Sequence, residues 1–215
     1  MDQTTFQTTL YRELAKVGKG LGSDRRLALV DLLAQSPRTV EDLATLAHLS
    51  VANTSRHLQA LRDAGLVVRT LRGNFGIYRL ATPLVAQLFY LLRGVGEAQL
   101  PVMATTQRDY DTAQRVQTLD LPAALKLLSR DDVQLLDVRP AAEFAAGHIA
   151  GAVNVPYDRL ATALDRLPAD QDLIVYCRGS LCGLTNQATR YLTQQGRHAY
   201  SLPVSYYDWR VFVGQ

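Results

Sequence analysis

The sequence predicts two domains of different class: a mainly α winged helix-turn-helix unit with a β-hairpin wing, then a unit in which an apolar strand runs into a cysteine-bearing loop and a helix. Three observations carry this. Between residues 40 and 80 the apolar pattern changes from helical spacing to strand, gap, strand, in the order short helix, tight break, longer helix, hairpin. Charge divides near residue 93: residues 1–93 hold 12 Lys/Arg against 7 Asp/Glu, net +5, and residues 94–215 hold 11 against 13, net −2, so the first half is the one suited to a polyanion. The only two cysteines, Cys177 and Cys182, share one loop directly after an apolar run.

Taken in order, Phe6, Leu10, Leu14 and Val17 recur at helical spacing before Gly18, Gly20 and Gly22 interrupt, and Ser23 or Asp24 caps a helix through Leu33. Pro37 and Thr39 open a short helix over 40–47. After the break at Leu49 and Ser50, Ser50 caps a longer helix over 51–64 that Gly65 ends. Residues 66–71 and 77–80 read as strands around a turn at 72–76 rich in Gly and Asn. A hairpin placed directly after the second helix makes a wing.

On the helix from Val51, Leu58 and Leu61 recur at core spacing, while Asn53, Thr54, Arg56, His57 and Gln59 supply outward donors and acceptors. The first turns of such a helix enter the major groove. By side-chain chemistry Asn53, Arg56 and Gln59 suit base edges, and Thr54, Ser55 and Arg62 suit phosphates. His57 suits groove contact and helix packing equally. Arg69, Arg72 and Arg79 charge the wing, whose tip would track the DNA backbone or minor groove; a solvated basic hairpin is the alternative.

Residues 13–16 (Glu-Leu-Ala-Lys), 29–33 (Leu-Val-Asp-Leu-Leu), 52–58 (Ala-Asn-Thr-Ser-Arg-His-Leu) and 61–67 (Leu-Arg-Asp-Ala-Gly-Leu-Val) resemble the ArsR family of winged-helix repressors, over roughly residues 8–92. The resemblance implies a homodimer joined through the first and last helices of the domain, here 4–17 and 83 to about 94. It also implies a double-stranded operator arranged as an inverted repeat. The metal-sensing sites of some members find no counterpart: 39–43 holds no cysteine, 83–100 holds no histidine, and His48 and His57 are isolated. No metal and no cofactor is expected.

In the second half, the loop Cys177-Arg178-Gly179-Ser180-Leu181-Cys182-Gly183 precedes a helical pattern over 184–195, an arrangement that aims backbone N–H groups and a helix N-terminus at Cys177. Such a site lowers a thiol's pKa and stabilises a thiolate or persulfide anion. Upstream stand Leu135-Leu136-Asp137-Val138-Arg139-Pro140, then Glu143-Phe144, Gly147-His148-Ile149, Gly151-Ala152 and Asn154-Val155-Pro156. The two motifs together resemble the rhodanese domain over about residues 118–213.

That resemblance implies an α/β domain with a mostly parallel sheet, in which Cys177 accepts sulfane sulfur from a donor such as thiosulfate or polysulfide and passes it to a nucleophile. The N–H groups of Arg178, Gly179, Ser180, Leu181, Cys182 and Gly183 would hold its anion, with Arg178 adding charge or gripping a donor oxygen. Asp137 and Arg139 are read as an ion pair shaping the loop, Glu143 as scaffold, and His148 as fixing the turn before Gly151. Cys182 is read two ways: as the thiol that attacks a Cys177 persulfide to close a di- or polysulfide, or as a small apolar filler. The related phosphatases need an arginine where this chain has Gly183. Where rhodanese domains commonly carry a glycine-rich turn before Trp, this chain places Val204 and Ser205 ahead of Trp209.

The expected domains are 1–98 for DNA binding and dimerisation, 99–117 as a linker with a helical segment over 107–116, and 118–215 as the rhodanese-like domain. No run of 18 apolar residues and no signal-peptide order occurs, and two cysteines in one loop fit a reducing compartment. These features point to the cytoplasm, without a membrane partner, and the two resemblances together imply a repressor that responds to sulfur on Cys177. The alternatives are a sulfurtransferase using its first domain mainly to dimerise, and a regulator with a catalytically silent rhodanese domain.

Overall fold

The computed structural model describes residues 1–168 and 170–214. They form two compact units, Met1–Gln99 and Leu100–Gln215.

The first unit runs α1 (Gln3–Leu21), α2 (Asp24–Gln35), β1 (Arg38–Thr39), α3 (Val40–Leu46), α4 (Val51–Asp63), β2 (Val67–Arg72), β3 (Phe75–Leu80) and α5 (Pro83–Gln99). Its core gathers Leu29, Val30 and Leu33 of α2, Leu43 of α3, Leu58 and Leu61 of α4, Leu66 and Val67 at the foot of the wing, and Val85 and Phe89 of α5. Both helices of the helix-turn-helix are capped: Thr39 Oγ1 accepts from the Asp42 N–H and Ser50 Oγ from the Asn53 N–H, each satisfying a donor that the first turn leaves open.

Three local expectations differ from what is observed. α1 does not stop at Val17 but continues through Gly18 and Gly20 to Leu21. A Cβ at Gly20 would stand 2.7 Å from Ala64 Cβ and 2.8 Å from Leu66 Cδ1, so this glycine serves the close approach of α1 to the end of α4 instead of breaking the helix. The wing turn is tighter than 72–76: Arg72 pairs with Phe75, leaving Gly73 and Asn74 as a two-residue turn, with Gly73 at φ +60°. A third strand, β1, pairs antiparallel with β3, giving the order β1-β3-β2.

The second unit runs α6 (Pro101–Gln114), β4 (Gln117–Thr118), α7 (Leu121–Leu128), β5 (Val133–Asp137), α8 (Ala141–Ala146), β6 (Val153–Asn154), α9 (Leu160–Ala163), β7 (Asp172–Tyr176), α10 (Leu184–Gln194), β8 (Ala199–Leu202) and α11 (Tyr206–Val213). The five strands make one parallel sheet in the order β4-β8-β7-β5-β6. β7 is buried on both faces, as expected of a central strand in a covered parallel sheet. The two-residue alternation sends Leu173, Val175 and Cys177 into a cluster with Ala188 and Leu192 of α10. Ile174 and Tyr176 join Ala124, Ile149 and Leu202 on the other face.

Within 99–117, where a linker was expected, α6 begins at Pro101, six residues before the expected helical segment, and belongs to the second unit. Val204 and Ser205 also find their reason: Val204 packs against the cluster that holds Tyr176 and Leu202, and Ser205 is buried and caps α11 in a reciprocal box with Asp208.

Candidate sulfur site and nucleic-acid interface

The sulfur site starts where β7 ends. Cys177 is fully buried, and Gly179, at φ +110°, lets the chain turn back so that the Cys182 N–H donates to Gly179 O at 3.0 Å. This turn brings the two sulfurs to 3.2 Å, both as free cysteines. The contact with Cys182, followed by burial, pushes the Cys177 thiol well above its ordinary value. Cys182 moves the other way, to about 6: the hydrogen bond from Cys177 acts first, against burial, helped by the Leu184 N–H and the charge of Arg178. The two opposite shifts favour a single shared proton on the pair, with the negative charge on Cys182 over Cys177. The expected low-pKa thiol at Cys177 is displaced onto its partner first by the hydrogen bond between the two sulfurs, and then by the burial of Cys177 in the apolar cluster beneath α10.

Of the two roles expected for Arg178, its charge acts on the loop by lowering both thiols, while its guanidinium is engaged by a carboxylate. Its Nε and Nη2 bind the two carboxylate oxygens of fully buried Glu143 at 2.9 and 2.7 Å, a bidentate pair that joins α8 to the loop. Its backbone N–H does serve the site, as a donor toward the sulfurs. The Cys182 N–H is committed to Gly179, so it is not part of a cradle around Cys177. Among the remaining loop residues Ser180 is half-buried, Leu181 exposed, and Gly183 stands at the start of α10.

Arg139 binds Asp137 through Nε at 3.0 Å and Nη2 at 2.6 Å, both side chains being buried, and its Nη2 also donates to Gly147 O. Asn154 ties both backbones by donating to Asp137 O and Arg139 O. His148 Nδ1 lies 3.0 Å from Phe144 O, with its ring stacked on Phe144.

In the first unit, α4 presents Asn53, Ser55, Arg56, Gln59 and Arg62 as exposed and His57 as half-buried. Thr54 corrects an expectation: it is fully buried and its hydroxyl donates to Ser50 O, so its side chain has no route to a phosphate. Arg56 is held to Asn53 at 2.7 Å, and Gln59 bridges Asp63 and Arg62, an exposed network that must open for any of these groups to meet a base edge. The wing arginines are not brought to one face. Register pairs Arg69 with Tyr78 but Arg72 with Phe75 and Val68 with Arg79, placing Arg69 on one face and Arg72 and Arg79 on the other. Arg69 lies against Gly76, where a Cβ would stand 2.2 Å from its Nε, and Arg79 folds back to the carbonyls of Leu80 and Ala81. Arg72 remains the arginine at the tip.

Sequence reasoning missed the Glu143–Arg178 pair, whose partners lie 35 residues apart, and the role of α6 against α10. The signal for α6 was present in Pro101, a favoured first helical residue.

A three-stranded winged helix-turn-helix followed by a parallel α/β unit with a dithiol loop defines a DNA-binding regulator joined to a rhodanese-like domain. Comparison agrees: "Bacterial regulatory protein, arsR family" matches residues 23–68 and "Rhodanese-like domain" matches 120–211. The chain is 36% identical over 209 residues to "HTH-type transcriptional regulator Rv0324" of Mycobacterium tuberculosis, covering 97% of this chain and 92% of that one. It therefore belongs to the ArsR family of transcriptional regulators, in a form that carries a C-terminal rhodanese-like domain. A "Sulfurtransferase" of Allochromatium vinosum is 37% identical over 71 residues, 33% of this chain and 64% of that one. The homodimeric winged helix-turn-helix DNA-binding domain of Mb0332 from Mycobacterium bovis is 39% identical, covering 46% of this chain and 93% of that fragment, with a TM-score of 0.44. No helix among the described residues is long and apolar enough to cross a membrane.

Proposed function

We propose that this regulator acts in the cytoplasm as a homodimeric repressor of an inverted-repeat operator, and that sulfane sulfur carried on Cys177 changes its affinity for DNA. The observation that carries this reading is the 3.2 Å contact between Cys177 and Cys182 in a chain whose other unit is a DNA reader. The donor, thiosulfate or a polysulfide, gives its sulfane sulfur to the Cys177 sulfur. A Sγ–S bond forms, the donor's S–S bond breaks, and the donor leaves as sulfite or a shorter polysulfide. The Cys182 thiolate then attacks Cys177 Sγ, releasing HS⁻ and leaving a disulfide: the sulfane sulfur is reduced to sulfide and the two thiols are oxidised. With a second sulfur retained the bridge is a polysulfide. Either bridge removes the thiol–thiolate contact and its negative charge, so the loop is held differently in the two states.

Dimerisation is supported by apolar faces that the first unit leaves open: Phe6, Leu10 and Leu14 on α1, and Leu84, Leu88, Leu91 and Val95 on α5. Both follow helical spacing, so each forms a stripe. DNA contact would come from Asn53, Ser55, Arg56, Gln59 and Arg62 of α4 and from Arg72 at the wing tip, with Arg69 and Arg79 on the flanks.

Intact-mass and peptide mapping test the sulfur step. Polysulfide-treated protein should carry sulfur on Cys177 and close a link to Cys182, and Cys182→Ser should stop at an open persulfide on Cys177. Absence of added sulfur on Cys177 with every donor would contradict the reading.

A further inference from the structure

The sulfur loop has a wall that its motif does not supply. α6 lies along α10: Tyr110 Oη donates to Gly183 O at 3.2 Å and accepts from Gln187 Nε2 at 3.3 Å, Asn186 Nδ2 donates to Asp111 Oδ1, and Arg190 Nη1 donates to Gln114 Oε1 at 3.4 Å. A Cβ at position 183 would stand 2.6 Å from Tyr110 Oη, so the loop glycine is what admits α6 this closely. Between α6 and the loop lies a cleft of about 440 Å³ with Cys182 in its lining.

The chemistry of that lining is one-sided. Val102, Met103, Leu181 and Pro203 make it apolar, and among the described lining residues the charged groups are both negative, the Cys182 thiolate and Asp111, an anion already bound to Asn186. The loop's cation, Arg178, is not in the lining and is gripped by Glu143. Gln107 Nε2, also in the lining, is buried without a hydrogen-bond partner among the described residues, so a donor is on offer. A dianion such as thiosulfate entering here would shed water with no cation to replace it, whereas an uncharged hydrocarbon group would gain from leaving water. Cys177, by contrast, is fully buried, so sulfur arriving through the cleft meets Cys182 first.

We propose that this cleft seats the apolar group of an organic hydropersulfide, R–S–SH, and that Cys182 takes the sulfane sulfur and hands it to Cys177. The proposal rests on the reading of the loop as a sulfur carrier and names its substrate class and point of entry. The Cys182 thiolate attacks the terminal sulfur of R–S–SH; the donor's S–S bond breaks and R–S⁻ stays in the cleft with the electron pair. Cys177 Sγ, 3.2 Å from Cys182 Sγ, then attacks the transferred sulfur, Cys182 leaves as thiolate, and the Cys177 proton goes to R–S⁻, which departs as R–SH. No net oxidation occurs; the sulfane sulfur changes carrier.

The test follows sulfur uptake by full-length reduced protein in time-resolved intact-mass spectra, with benzyl hydropersulfide, thiosulfate and inorganic polysulfide at equal concentration. Benzyl hydropersulfide should load at least tenfold faster than thiosulfate. Cys182→Ser should slow loading from benzyl hydropersulfide at least tenfold, and in Cys177→Ser the sulfur should stop at Cys182. Met103→Glu, which sets a second carboxylate in the cleft, should cut the benzyl-to-polysulfide rate ratio at least tenfold. Arg108→Ala, on the exposed side of α6, should leave that ratio unchanged. Equal rates from thiosulfate and benzyl hydropersulfide, or a Cys182→Ser protein loading at the wild-type rate, would overturn the proposal while leaving Cys177 a carrier. No sulfur on either cysteine from any donor would overturn both.

Discussion

At the scale of the residue, the site is governed by which cysteine the sulfur–sulfur hydrogen bond and burial leave neutral. Cys182, held down to about 6, is a thiolate above that pH and a thiol below it. Alkylation of Cys182 by iodoacetamide should therefore rise through a midpoint near pH 6 and level off by neutral pH. In Cys177→Ala, which removes the hydrogen bond from Cys177, the midpoint should move up toward the ordinary thiol range; an unmoved midpoint would refute the shared-proton account. Glu143 is the second residue on which the loop depends. Glu143→Ala leaves the Arg178 guanidinium buried against an empty partner site, which costs about 3–5 kcal/mol, measurable by urea unfolding. The cysteines, the Asp137–Arg139 pair and His148 were legible because each sits inside a local motif. Glu143 was legible only as scaffold, since nothing local to residue 143 reports a partner 35 positions away. Thr54 misled for a related reason: a hydroxyl in the first turn of a helix satisfies a groove or the preceding carbonyl, and only packing decides.

At the scale of the element, glycines show how the same residue serves opposite ends. Gly20 admits Ala64 and Leu66, so Gly20→Val should destabilise the first unit by about 1–3 kcal/mol through overpacking. Gly18, on the same helix with nothing near its missing Cβ, should gain about 0.5–1 kcal/mol on substitution by Ala. Paired thermal melts check both, and a destabilised Gly18→Ala would contradict the placement of α1. Sequence spacing placed the helices of the helix-turn-helix and the wing within a residue or two, because caps, periodicity and turn residues agree there. It missed β1, whose two residues are too few to show alternation. It shortened α1, because three closely spaced glycines signal a break unless a neighbour's close approach is known. The split of the wing arginines between two faces was implicit in their spacing once the turn is taken as two residues rather than five.

At the scale of the whole molecule, the proposed switch needs two copies of the chain, DNA and a sulfur state that biases their association. The exposed stripes of α1 and α5 are the self-association surface in this account. Leu84→Glu combined with Leu91→Glu on α5 should yield a monomer at micromolar concentration in sedimentation equilibrium, with operator affinity falling because the two half-sites are no longer engaged together. A dimer that survives this pair would place the interface elsewhere. A switch requires that the persulfidated and reduced forms differ in DNA affinity, since a ligand equal toward both states shifts nothing. The direct test is fluorescence anisotropy against promoter DNA from the protein's own locus, comparing reduced with polysulfide-treated protein and repeating both for Cys177→Ser. Treatment should change the affinity of the wild-type protein and leave that of Cys177→Ser unchanged; equal affinity for all four samples would rule out a sulfur switch through Cys177.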